Sequence, residues 1–540
     1  MNKNEIKPDF EFVLEGGAYH VPNPENMPDV GYLAPDLLPY IRDGERIIHI
    51  EHVPRHHNEN KPSAMRELLR LTNSMDVTEI GKNGPVIAAT SLEDDEPSSE
   101  LHLYEAVFGR DSLFVAHELL DEYPELARAT LLKLASLQGQ EWNNTREEEP
   151  GRIPHEIRDP KNDIIARTLS EKRGWEWPYY GAVDATPMYM RVFAAYVSKI
   201  ENGYELLNQD YQAKDGTTHK MSESLEYALA WVQKRMSANP EGFVEYKSPI
   251  AGGIENQMWR DSWDAFFHAD GTLANRNQGI AALDVQRITH DALSEVADVY
   301  ETLPHKQGEA RLLHIQAALL RKKILENFWI EKSSWDENDH GYFAIGSDRD
   351  EYGNIRPLKI KTSDMGHMLY SRLLDGDDVE TVRHCEAVVK QLFSPAMLAA
   401  GGIRTLADDQ QRYRPSAYHN GTVWPAFNFL ISQGLRRHGY NALAENLENR
   451  IMSTVDQTGE LMEYVSGDGG STPMIATRIV DVWDSVYQRV NRIEQPPQEV
   501  QAWTVASVLA IQIAHGKNQY NQPIPSEFEQ RILDRIAAKN

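Results

Sequence analysis

The 540-residue sequence predicts a mainly α protein, six helical hairpins closed into a ring behind a small lead-in of strands and loops. Three observations carry that expectation. From about residue 96 onward, apolar residues recur at helical spacing in one segment after another, each two to six turns long. The runs between them are long, polar and aromatic, with little of the strict alternation that marks strands. The chain also lacks the heptads of a coiled coil, the apolar strands of a βαβ enzyme and the internal repeat of a solenoid.

Residues 1–95 are rich in Pro, Gly and Asn, with short apolar runs at 10–14, 46–53 and 85–89. Strands and loops are expected there, with one helix near 64–71. Residues 96–540 form the expected helical domain. Its periodic segments fall at 111–121, 123–138, 184–201, 221–237, 262–269, 280–301 and 307–329, then at 362–374, 378–394, 420–438, 440–456, 499–515 and 525–538.

The loops hold the chemistry. In Tyr104-Glu-Ala-Val-Phe-Gly-Arg-Asp-Ser112 the pair Arg110 and Asp111 opens a helix and offers a charged fork to vicinal hydroxyls. A surface ion pair with an N-cap is the plainer reading. Glu148-Glu-Pro-Gly-Arg-Ile-Pro-His-Glu156 precedes Trp175-Glu-Trp-Pro-Tyr-Tyr-Gly-Ala-Val-Asp-Ala-Thr-Pro187. There Trp177 and Tyr180 present rings suited to stacking on a pyranose, or to closing a core. Asp184 either binds a hydroxyl or caps the next helix.

The densest stretch is Glu255-Asn-Gln-Met-Trp-Arg-Asp-Ser-Trp-Asp-Ala-Phe-Phe-His-Ala-Asp-Gly271, with Asp261 and Asp264 among Trp259, Arg260 and further rings. A carboxyl held against rings is poorly solvated and stays protonated to higher pH, as the acid of glycoside hydrolysis must. The alternative is a helix starting at Ser262, capped by Asp261, with Asp264 and His268 paired four apart. Tyr418-His-Asn-Gly-Thr-Val-Trp-Pro425 places His419 and Trp424 in one short loop, a pocket wall or a structural turn. A second acid is expected far along the chain, since opposite walls of a ring are distant in sequence. Glu463 and Glu494 compete for that place, and either would otherwise be a solvated surface glutamate.

Composition narrows the partners. The formal charge of −27 disfavours nucleic acid and anionic membranes, and it does not repel a neutral sugar. A single cysteine, Cys385, rules out an internal disulfide or a Cys-based zinc site. With no signal-like segment and no apolar run of the ~18 residues that span a bilayer, a cytoplasmic address is expected.

Taken in order, Gly109-Arg-Asp-Ser, Glu149-Pro-Gly-Arg-Ile-Pro-His-Glu, Tyr180-Gly-Ala-Val-Asp-Ala-Thr-Pro, Trp259-Arg-Asp-Ser and Tyr418-His-Asn-Gly-Thr-Val-Trp-Pro resemble the amylo-α-1,6-glucosidase half of glycogen debranching enzymes. More widely, the chain from about 80 to 510 is similar to the six-hairpin glycosidases that include glucoamylases. The resemblance implies an (α/α)6 barrel and an inverting mechanism with no metal or cofactor. It places Asp261 on the general acid, Glu463 on the general base with Gly467 fixing its register, and Arg110 and Asp111 on the terminal sugar. Two departures stand out: Met462 replaces the usual proline before the base, and the segment from Glu463 to Trp503 is long, which keeps Glu494 in play. The chain has no room for a glucanotransferase domain. The expected activity is therefore exo-acting hydrolysis of an α-glucosidic linkage. The alternatives are a sugar phosphorylase using Arg404, Arg414 and His419, and a sugar-binding protein without catalysis.

Overall fold

The computed structural model describes residues 10–14, 17–21, 64, 67–68, 71, 87–90, 106–161, 163–332, 340–468, 470, 472–476, 478–484, 489–495, 497–516 and 523–538. Phe10–Leu14 pairs antiparallel with Gly17–Val21, and Ala64, Glu67, Leu68 and Leu71 are helical, as expected of both segments. The run at 46–53 lies outside the described residues.

Among the described residues thirteen helices of seven residues or more follow: α1 Gly109–Glu118, α2 Pro124–Ser136, α3 Ile164–Arg173, α4 Ala185–Lys199, α5 Met221–Met236, α6 Leu283–Glu301, α7 Gln307–Phe328, α8 Asp364–Tyr370, α9 Val379–Leu392, α10 Pro425–Arg437, α11 Asn441–Thr458, α12 Ala502–Gly516 and α13 Glu527–Ala537. Six of them pack in succession: α1 on α4, α4 on α6, α6 on α8, α8 on α10, α10 on α12, and α12 back on α1. Outside these inner helices α2 lies on α1, α5 on α4, α7 on α6, α9 on α8 and α11 on α10, with α13 on α11. Residues 87–90 stitch the last inner helix to the first, since the Ala502 amide donates to the Ala89 carbonyl and the Ser112 hydroxyl to that of Ile87.

Sequence accounts for the two layers. In α6, 16 of 19 residues are buried, polar ones included, because neighbours enclose it on all sides. In α7 the buried residues are Ala310, Leu313, Ala317, Leu320, Ile324 and Phe328, steps of three and four that make one stripe. The opposite face exposes Leu312, Ile315 and Leu319. Helix α3 was not anticipated, although Asp163 caps its first turn with bonds to Ile165 and Ala166 and left-handed Gly174 ends it.

The expected helix over 262–269 is absent, so there is no helix at Ser262 for Asp261 to cap. Tertiary bonds consume the groups a helix would need: the Ser262 amide donates to His419 Nδ1, and the Ser262 carbonyl accepts from Asn256 Nδ2. His268 does not meet Asp264 along a helix; its Nε2 bonds Asp348 across 3.0 Å. None of the described helices is long and apolar enough to cross a membrane.

Candidate active site

First turns of the inner helices and the loops before them lie together: Arg110 of α1 bonds Asp184 before α4 and nears Trp503 of α12, Asp284 of α6 bonds His367 of α8, and Trp259 bonds Asp364 of α8 and packs on Phe427 of α10. Asp111, Asp284 and Asp364 stand in first turns and Asp184 immediately precedes α4, so these carboxylates sit at the positive ends of helix dipoles. Gly109 starts α1 against the 154–155 backbone. Its amide donates to the His155 carbonyl, and a Cβ there would lie 2.1 Å from the Pro154 oxygen. Only glycine permits that approach, and it aims the next residue, Arg110, inward.

Arg110 is the hub. Its Nη1 bonds Asp184 at 3.2 Å, its Nη2 pairs with Asp261 at 3.5 Å, and its guanidinium lies 5.8 Å from the Trp503 ring. Burial works against the Arg110 charge, but Asp184, Asp261 and Asp111 more than offset it and lift its pKa further. Neither Arg110 nor Asp111 is at the surface, so the plainer reading of a surface pair does not apply. Burial, reinforced by Asp184 and Glu156 and opposed by Arg110, pushes Asp111 up to about 7. Burial likewise raises Asp184, with Arg110 as the main opposing influence.

Within 255–271 the four aromatic side chains Trp259, Trp263, Phe266 and Phe267 are all buried, and the chain turns about a locked arginine. Arg260 Nε and Nη2 hold Asp364, Nη1 reaches the His419 carbonyl, and Nη2 also reaches Thr405 O and Ser363 Oγ. With no exposed surface and its donors engaged, Arg260 positions the loop and has nothing left for a ligand. The desolvation expected of Asp261 falls on Asp264, which burial raises to about 6 against the opposing charge of Arg412. The Asp261 side chain is 28 % exposed, between buried Arg260 and Ser262.

Glu463 occupies the other wall. Its amide donates to Gln498 O, Met462 O accepts from Thr504 Oγ1, and Val465 bridges Val423, so the segment is stitched on both sides. The Tyr418 hydroxyl donates to the buried Glu463 carboxylate. Gly467 holds the register: a Cβ would fall 1.8 Å from the Gly421 oxygen, and its own carbonyl accepts from Arg404 Nε and Tyr413 OH. The extra length before Trp503 is an antiparallel hairpin, Arg478–Asp484 with Arg489–Gln495, looping out between the paired 461–463 and 498–501 segments. It carries Glu494 opposite Ile479.

The two walls are joined. Ser262 Oγ, next to Asp261, bonds His419 Nδ1 at 2.8 Å, and the next residue back from His419, Tyr418, holds Glu463. Trp424 stacks on His419 and Tyr464 at 5.4 and 5.6 Å, and its indole donates to Tyr418 O, making a floor of rings. Trp259 adds to it, 3.9 Å from Phe427. Trp177 and Tyr180 lie elsewhere: Trp177 Nε1 bonds Ala166 O and Ser170 Oγ on α3, and the fully buried Tyr180 donates to Leu137 O at the end of α2. Tyr180 is enclosed there, and Trp177 is half-buried against α3.

Sequence reasoning passed over Tyr418 and Ser262 as functional residues, although both lie inside motifs it singled out. Among the described residues Asp298, Glu301 and His314 could share a cation, but they lie on the outside of α6 and α7, and Arg372 already engages Asp298. Residues 110–478 match the family model described as the mannosylglycerate hydrolase MGH1-like glycoside hydrolase domain. No curated protein matches the chain.

Proposed function

Because the chain belongs to the mannosylglycerate hydrolase MGH1-like glycoside hydrolase family, we propose that it is an inverting, exo-acting α-glycosidase of amylo-α-1,6-glucosidase type, built as an (α/α)6 toroid. Asp261 protonates the leaving glycosidic oxygen. Glu463 deprotonates a water on the opposite face of the ring, and the water oxygen bonds the anomeric carbon as the glycosidic bond breaks. Arg110 and Asp184, with Asp111 behind them, hold the terminal sugar. Inversion asks for carboxyls roughly 6.5–9.5 Å apart.

The observation that carries this reading is the pairing of unlike carboxylates at one end of the inner helices. One is open to solvent beside Arg110, the other enclosed and held by Tyr418, and the Ser262–His419–Tyr418 bridge ties them together. The phosphorylase alternative loses ground because Arg404 is spent on backbone, its Nη1 meeting the carbonyls of Pro395 and Ala396 and its Nε that of Gly467. A second substrate reading, an acidic aglycone like the glycerate in the family's title, is favoured by Arg276 and Arg412, which lie 6.0 and 5.9 Å from the Trp263 ring two residues after Asp261.

Proton NMR tests the proposal with α-linked disaccharides, a limit dextrin and glucosyl and mannosyl glycerates, each with and without phosphate. Release of β-sugar without phosphate is expected. Release of α-sugar, or turnover only with phosphate, would overturn it.

A further inference from the structure

Asp184 and Asp261 reach Arg110 from separate segments of the chain, and both segments meet at Gln257. The Val183 amide, one residue before Asp184, donates to the Gln257 carbonyl at 2.8 Å, and Asp261 follows Gln257 by four residues. The path closes on itself, because Arg110 bonds Asp184 at 3.2 Å and pairs with Asp261 at 3.5 Å. The Arg260 clamp ties Asp261 to Asp364, Thr405 and His419; Gln257 ties it to Asp184. A shift of Gln257 moves both carboxylates' segments relative to the arginine they share.

Gln257 is gripped at both ends of its amide. Its Nε2 donates to Glu147 Oε2 at 2.6 Å and its Oε1 accepts from Arg152 Nη2 at 2.9 Å, and all three residues are at most 2 % exposed. The other oxygen, Glu147 Oε1, accepts from the Tyr179 and Ser248 hydroxyls at 2.9 and 2.7 Å, and Tyr179 OH in turn accepts from the Ile254 amide. One buried carboxylate thus fastens the start of 179–184 and both ends of 248–257. The packing over it is close: a Cβ on Gly253 would fall 2.4 Å from Glu147 Oε1. Glu147 does this from a left-handed backbone, φ 54°, which glycine takes freely and a residue with a side chain rarely adopts. Its carbonyl is caught there by Arg152 Nη1 at 2.8 Å. Where glycine would be easier, a glutamate is kept for its carboxylate.

We infer that Glu147 is a positioning residue: through Gln257 it sets the placement of Asp261 and Asp184 about Arg110. Its consequence for catalysis rests on the hydrolytic reading, in which Asp261 is the acid and Asp184 holds the sugar. The donor pattern makes the grip specific to an acid facing an amide. In Glu147→Gln, with the amide oxygen still accepting from Tyr179 and Ser248, the new NH2 meets the Gln257 NH2. Turning the Gln257 amide over only moves the clash to Arg152 Nη2. Adding Gln257→Glu removes it, since the carboxylate then at 257 accepts from the amide at 147 and from Arg152.

Crystal structures and kinetics of the wild type, Glu147→Gln and the double variant Glu147→Gln/Gln257→Glu test this. Glu147→Gln should change the Arg110–Asp261 or the Arg110–Asp184 separation by at least about 0.5 Å, the tolerance of a preorganised site. Its kcat on a glycoside should fall about tenfold or more. On α-glucosyl fluoride, whose leaving group needs no acid, kcat should stay within about threefold of wild type. KM should rise on both substrates as Asp184 loosens, and the double variant should restore all three. If Glu147→Gln does not fold, Ser248→Ala, which removes one donor to Glu147, carries the same comparison. Equal losses of kcat on glycoside and fluoride would make Glu147 a general support and overturn the inference. So would unchanged separations in the crystal, or a double variant as impaired as the single one. If the wild type hydrolyses no glycoside, the hydrolytic reading fails by itself, and the crystallographic separations still decide whether Glu147 places the cluster.

Discussion

The two loops that carry the candidate acid and base are built in opposite ways. From Asn256 to Phe267 every residue is buried except Asp261, which is partly exposed beside Arg110. Residues 461–467 bury Glu463 itself and pin it from both sides. A proton donor must be recharged from water each cycle, so partial exposure suits it. A base must hold one water at a fixed point, and rigidity suits that. The proposed roles of acid and base rest on this difference and not on any pKa.

The largest effects should come from breaking either wall. Asp261→Asn and Glu463→Gln should each lower kcat on a natural glycoside by about 10²–10⁴-fold, and the double variant should be little worse than either single one. Steady-state kinetics and circular dichroism together separate this from unfolding. Glu494→Gln should stay within a few-fold of wild type, and a loss matching that of Glu463→Gln would move the base to the hairpin.

Next in size is the support of the base. Tyr418→Phe removes a hydrogen bond to a carboxylate, of order 1.5–3 kcal/mol, so kcat should drop roughly 10–100-fold with the fold intact. The acid limb of the pH–rate profile should move to higher pH, because the charged form loses its donor. An unchanged profile would make Tyr418 a packing residue only. Gly467→Ala should cost about 1–3 kcal/mol of stability through the forced shift against Gly421, together with a loss of kcat. Thermal melts and kinetics check both.

These contrasts bear on how much the sequence could say. Helix periodicity survives burial on one face, as in α7, and also burial on all faces, as in α6, so twelve of the thirteen expected helices have counterparts. It misled at 262–269, where aromatic residues three and four apart obey helical spacing but answer to the Arg260 clamp and to His419, more than 150 residues away. A separation of 45 residues likewise hid Tyr418 as a partner of Glu463. Of the two readings of Trp177 and Tyr180, stacking on a sugar or closing a core, burial gives Tyr180 the second, while half-buried Trp177 bonds α3 through its indole N–H. Arg110, Asp184 and Asp261 were each legible as chemistry. Only the structure joins them into one ion-pair cluster.

The smallest prediction concerns pH. Asp111, near 7, and Asp264, near 6, both stand above the unfolded aspartate value of about 3.9. The native state then binds more protons than the unfolded one. The two groups therefore make stability fall as pH rises from about 4 to about 7, and the loss persists above that. His155, His384 and His438, whose pKa burial lowers, act in the opposite sense below about 6.5, so the test compares variants: between pH 5 and pH 8 the urea midpoint of Asp111→Asn should fall less, or rise more, than that of the wild type. An identical pH dependence of the two would contradict the burial of Asp111.

The most direct test of the two-wall account is leaving-group dependence with α-glucosyl fluoride, whose fluoride departs without help from an acid. The account predicts that Asp261→Asn recovers to within about tenfold of wild type on the fluoride while Glu463→Gln stays down by about 10²–10⁴-fold. Recovery of Glu463→Gln with Asp261→Asn still impaired, or equal recovery of both, would contradict the assignment of acid and base.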